Sequence, residues 1–276
     1  MSDSFDLPFV TRAPSKSEQQ RLMLVLSTFC DGSGMNNGGY LPGWRDVERT
    51  VAAVLGGTGS ESKEVFDVTV SPAKTVFDVG FSVKCKNLSS PQAMTTIEKA
   101  GRVYMELANS PAKFWDALRE KNLTEAFFKE KLQANVFGDV VLRTVHSWHL
   151  AAAENQRRTS GRELNIEKSV YLTLSNGTRV KNSENVYQWH SFPMRFPNNI
   201  KWDFLSDKCL RGFDPDYPSE ALFDWYGVSG GQLKYYPRAS NALFRSEQFS
   251  LKAPPALLLL EKAAKYFPAD WKQTAV

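Results

Sequence analysis

Cysteine is scarce in this chain, with three among 276 residues, at positions 30, 85 and 209. The three are odd in number, far apart and form no CxxC pair, which argues against a disulfide framework and a cysteine zinc site. A reducing, cytoplasmic setting is the expected one. Long apolar runs are lacking too. The longest late one, Ala253 to Leu260, holds two prolines and is too short to span a bilayer. The start, MSDSFDLPFVTRAPSKSEQQ, has no basic segment followed by an apolar one, so no signal peptide is expected. Histidine occurs only at 146, 149 and 190 and makes no HExxH. No GxSxG elbow is present. GGTGSESK fails as a phosphate loop, because Ser62 precedes Lys63 and Glu64 stands where a hydroxyl should bind magnesium. Neither sign of charge dominates: 34 Lys and Arg against 30 Asp and Glu give +4, which permits an anionic partner without requiring one.

What is present is an ordinary globular composition, 42% hydrophobic and 23% charged, in a chain long enough for a well-buried core. Periodicity predicts helices over Glu18 to Leu26, Trp44 to Leu55, Pro91 to Leu107, Pro111 to Lys121, Thr124 to Asn135 and Pro254 to Tyr266. Strands are expected at residues 64 to 70 and 75 to 86, with a further buried strand in the first half of VFGDVVLRTVHSWHLAAAE. CDGSGMNNGGYLPG, GGTGSES and ENQRRTSGRE read as loops. SVYLTLSNGTRVKNSE reads as a hairpin turning at Asn176-Gly177. The order implies an α/β or α+β fold around a mixed sheet, one domain with a core over about 40–150 and β-rich elaborations over about 151–250.

Chemistry concentrates in the strand pair. In FDVGFSVKCK, Phe77, Val79, Phe81 and Val83 alternate with Asp78, Gly80, Ser82 and Lys84, which predicts one apolar face and one polar face. Asp67 sits mid-strand in EVFDVTV, and Lys84 on the returning strand can approach it across the hairpin. Glu98 lies fourteen residues past the lysine, with Arg102 and Glu106 following at steps of four on the expected helix. Two carboxylates suit a hard divalent cation such as Mg²⁺, and a nearby ammonium can orient an attacking water. The bland alternative is a surface cross-strand pair and a solvated ladder of helical ion pairs.

The pattern Asp67, Ser82-Val83-Lys84, Glu98 resembles the active site of the PD-(D/E)XK nucleases, above all the type II restriction endonucleases. It is similar to the variant in which serine replaces the acid of the (D/E)-x-K triplet and the second acid moves to the following helix. GWRDVERTV, ESKEVFDVTV, FSVKCKNL and GRVYMELANSPAKFWDAL extend the likeness over about residues 40 to 120. Phe66 stands where that family has proline, which leaves Asp78 as the rival first acid. The resemblance implies a restriction-endonuclease-like mixed sheet flanked by helices. It also implies Mg²⁺ held by Asp67 and Glu98, water positioned by Lys84, Ser82 in the place of the lost acid, Glu48 as an accessory acid and Glu106 as the alternative to Glu98. A homodimer cutting double-stranded DNA in a bacterial cytoplasm would follow. Candidate DNA contacts, chosen by residue type, are Asn155, Gln156, Arg157, Arg158, Arg162, Lys181, Lys234 and Arg238. A different nuclease of the same fold and a non-catalytic DNA-binding protein are the rivals.

Overall fold

The computed structural model describes residues 5–31, 42–59, 65–90, 92–181, 183–254 and 259–273. Most of the glycine- and asparagine-rich loop (32–41), and Lys63 and Glu64 of the failed phosphate loop, lie outside them. In chain order the elements are α1 (Lys16–Thr28), α2 (Trp44–Leu55), β1 (Thr58–Gly59), β2 (Val68–Val70), β3 (Phe77–Asn87), α3 (Ala93–Glu98), β4 (Met105–Asn109), α4 (Pro111–Arg119), α5 (Glu125–Lys129), α6 (Ala134–Ser160) and β5 (Glu163–Leu164). There follow β6 (Val170–Thr178), β7 (Asn185–Pro193), β8 (Lys201–Phe204), β9 (Leu210–Asp214), β10 (Tyr217–Trp225), β11 (Gln232–Tyr235), β12 (Phe244–Arg245), α7 (Leu259–Tyr266) and α8 (Pro268–Gln273).

The central sheet runs β1-β2-β3-β6-β7-β12, with β5 also on β3. It is mixed: β2 and β3 are antiparallel, whereas β3 and β6 run parallel from Phe81↔Val170 to Asn87↔Asn176. A parallel pair needs a crossover, and α6 supplies its long arm. The second sheet, β4-β11-β10-β9-β8, is antiparallel throughout. The fold is therefore α+β, a mixed central sheet flanked by helices with a further antiparallel sheet.

Both faces of β3 are covered. Phe77, Val79, Phe81 and Val83 pack with Leu22 and Leu26 of α1 and Val47 and Val51 of α2. On the other side lies an aromatic core that includes Phe66, Phe114, Trp115, Phe137, Tyr171 and Trp225. Asp78 and Ser82 are accordingly buried, not turned to water as the alternation suggested. The alternation correctly separated two faces, but a polar face is dry when its polar groups find partners inside.

Four expectations are corrected. The stretch expected to be one helix over Pro91 to Leu107 is a short helix, α3, then strand β4, with Ala100 at φ +64° in between. Glu98, Arg102 and Glu106 therefore share no helical face. VFGDVV is not a strand but the start of α6, which also absorbs most of the expected basic loop and ends at Gly161, φ +72°. Such a left-handed cap is open to glycine without a Cβ penalty. Asn176 and Gly177 are not a turn; they sit in the ladder opposite Tyr187 and Val186, and the chain reverses later. Apart from these, residue 150, the expected limit of the core within the single domain, lies inside α6, and the chain on each side of it contributes strands to both sheets.

Candidate active site

Strand β2 begins one residue after Asp67, and this position explains the aspartate. The Asp67 N–H donates to the Phe81 carbonyl at 3.0 Å, which extends the β2–β3 ladder by one step. The Val83 N–H beyond it has no strand carbonyl to meet, so it donates to Asp67 Oδ2 at 2.7 Å. The carboxylate takes over where the ladder stops. Lys84, next along β3, brings Nζ to 3.5 Å from the same oxygen, with both side chains largely buried. Glu48, at the middle of α2, completes the group. Burial and the neighbouring Asp67 push its carboxyl up to about 7, against the pull of Lys84 and Arg45. Asp67 is raised as well, first by burial, and is held back by Lys84 and the Val83 N–H. Two carboxyls crowded in a partly dry site resist being charged together, and Glu48 carries that cost as a raised pKa.

The rival first acid has another job. Asp78 is 2% exposed and receives hydrogen bonds from Ser71 Oγ at 2.7 Å, Gln156 Nε2 at 3.0 Å and Arg162 Nε at 2.6 Å. Burial alone would raise its pKa, but these donors bring it below the usual value. Asp78 ties the end of α6 to β3. Gln156 and Arg162, both nominated as DNA contacts, are thereby engaged in holding the fold.

Neither nominee for the second acid joins Asp67. Glu98, at the end of α3, pairs with Arg179 at 2.6 Å on the surface. Glu106 is on β4 of the second sheet, opposite Lys234. The charges that act most on Glu48 and Asp67 are each other, Lys84 and Arg45, and neither Glu98 nor Glu106 is among these. The accessory acid, Glu48, is the one brought to the aspartate.

The remaining nominated contacts are scattered. Arg157 and Arg158 are exposed and both pair with Glu154. Lys181 is exposed in the β6–β7 connection. Lys234 lies over the Tyr226 ring at 4.3 Å. Arg238 binds Glu220 and lies over Tyr217 at 3.5 Å, so it belongs to an ion cluster with Arg102 and Asp214. Asn155 lines a cavity of about 600 Å³ that also touches Ser82 and Lys84. Sequence reasoning missed four other residues of that cavity wall, Lys113, Trp148, His149 and Tyr171. They come from α4, α6 and β6, and no spacing in the sequence links them.

Among the described residues no three or more His, Cys, Asp or Glu side chains form a metal-binding group, and no helix is long and apolar enough to cross a membrane. The donors in hand are Glu48 and Asp67. Two carboxylates fit Mg²⁺, which keeps several waters and commonly takes one or two protein carboxylates beside a phosphate. The strain of two adjacent carboxyls is the kind of strain a cation relieves. No family model matches the chain, and neither the curated proteins nor the solved structures contain a match to it.

Proposed function

We propose that this chain is a Mg²⁺-dependent deoxyribonuclease of the type II restriction kind, which cuts double-stranded DNA as a homodimer in a bacterial cytoplasm. The observation that carries the reading is the cluster of Glu48, Asp67 and Lys84 where the β2–β3 ladder ends. Structural ion pairs are usually satisfied pairwise. Here two acids face one lysine and both have raised pKa values, an arrangement that a bound cation would relieve. Glu48 and Asp67 would hold the metal, which when bound supplies Lewis acidity toward the phosphoryl oxygen and a more acidic water.

Each residue has a task the fold equips it for. The Val83 N–H fixes the Asp67 carboxylate, so its free lone pairs keep a set direction. Lys84 Nζ, anchored at 3.5 Å from Asp67, has donors left for an attacking water or a phosphate oxygen. Its charge offsets the negative charge that grows on the phosphate in the transition state. Ser82 occupies the triplet's first position and adds no charge, so the acid count rests on α2. This departs from the resemblance, which assigns the second acid to the helix after β3.

The test is direct. Purified protein incubated with unmodified bacteriophage DNA should give discrete bands with Mg²⁺ and none in EDTA. A smear would indicate a nuclease without sequence preference. DNA bound but uncut, on methylated substrates too, would identify a non-catalytic DNA-binding protein.

A further inference from the structure

The cavity beside Lys84 is larger and more apolar than a scissile phosphate needs. A phosphate is met by point charges and N–H donors on an open surface. This cavity, about 600 Å³, lies in the size range of small-molecule pockets and is walled in part by Leu107, Trp148 and Tyr171. Cations stand beside that wall: Lys84, and Lys113 in the first turn of α4. Side-chain amides are present as well, in Asn109 and Asn155. Flat apolar walls, amides and nearby cations are the features that receive a nucleotide, base inward and phosphate outward.

A second observation is independent of the cavity's shape. His149, 1% exposed, is part of the wall, and its Nε2 lies 3.0 Å from the Tyr171 hydroxyl. Its Nδ1 is buried without any hydrogen-bond partner. Burial lowers the imidazole pKa to about 4, so the ring is neutral at physiological pH. A neutral ring, held in orientation by Tyr171, leaves that part of the wall uncharged, which suits a base better than an anion.

We propose that the cavity is a nucleotide pocket, which takes a base extruded from the DNA duplex next to the phosphate held at Lys84. The inference rests on the nuclease reading and names the substrate geometry of that site. Extrusion breaks stacking and pairing at a cost of a few kcal/mol, less where the base is mismatched. The protein therefore binds more tightly wherever a pair is already weak.

The experiment uses the full chain in EDTA, so that nothing is cut. Two labelled duplexes of one sequence, fully paired and with a single central mismatch, are titrated by fluorescence anisotropy at low salt. Binding of the mismatched duplex at least ten-fold tighter is expected. Ala152→Trp and Ala151→Trp place an indole in the cavity, Ala151 from an exposed position where folding is not at risk. Either should bring the ratio of the two affinities toward one, with circular dichroism unchanged. Equal affinities in the wild type would overturn the pocket and leave the nuclease reading standing. A mismatch preference that survives both substitutions would also overturn it. No binding to either duplex would remove the nuclease reading and the pocket together.

Discussion

Two aspartates eleven residues apart show how environment assigns a role. Asp78 is saturated by three side-chain donors and is locked against Arg162. Asp67 accepts from one backbone N–H and a distant ammonium, and its charge helps to raise the neighbouring Glu48. Their substitution should therefore separate stability from activity. Asp67→Ala and Lys84→Ala should each reduce Mg²⁺-dependent cleavage by about 10³-fold or more, Lys84→Ala with little change in thermal midpoint and Asp67→Ala with a loss of about 1 kcal/mol from the stranded Val83 N–H. Full activity in either variant would refute the assignment. Asp78→Ala should instead destabilise by about 3 kcal/mol, because it strands a partly buried arginine; urea denaturation reads this directly. Glu48 adds a pH signature. Its folded-state carboxyl lies at about 7, above an unfolded value near 4.5. The folded state thus binds the extra proton, and this contribution is present below pH 4.5 and lost as pH rises through 7. Metal-free wild type should lose stability between pH 4.5 and 7, on the order of 1 kcal/mol once solvent screening of a half-buried group is allowed for. Glu48→Gln should flatten that slope, measured by urea titration in EDTA at the two pH values.

At the scale of elements, α6 is the decisive piece. Its apolar stripe packs on the core, its end binds Asp78, and its middle carries Trp148 and His149 into the cavity wall. Gly138 lets it approach the second sheet: a Cβ there would lie 2.2 Å from the Trp202 ring. Helix propensity favours alanine over glycine by about 1 kcal/mol. Overpacking against a buried indole costs about 1–3 kcal/mol, so the contact should win. Gly138→Ala is expected to lower the thermal midpoint, and a raised midpoint would show that Trp202 yields freely. The same helix explains a misreading. VFGDVV contains three valines and a phenylalanine, a local preference for strand. Burial of Phe137, Val141 and Val145 along one face overrides it. Trp44 to Leu55, by contrast, is a helix over the range periodicity predicts, because its apolar face and its Gly56 cap agree.

For the whole molecule, two cores share the central sheet. Trp189 belongs to the one under α1 and α2; Trp115, Trp202 and Trp225 belong to the other. Strand β6 feeds both, with Leu172 and Leu174 on one side and Tyr171 on the other. The layers should therefore unfold together: tryptophan fluorescence and far-ultraviolet circular dichroism should show coincident urea transitions. Two separated transitions would show that the second sheet is an independent unit.

The mixed class, the β2–β3 pair and the meeting of Asp67 with Lys84 were legible in the chain itself. They depend on period-two alternation and on residues close in sequence, where geometry is local. Glu48 was reached only through a family likeness, as an accessory. Its place beside Asp67 depends on how α2 packs on β3, a contact between elements. The burial of Asp78, the strand at Glu106 and the α6 helix were decided by tertiary structure, since long-range partners outweigh local preference there. The cavity was likewise invisible. Lys113, His149 and Tyr171 stand far apart along the chain, and only the crossover from β3 through α6 to β6 brings them to one wall.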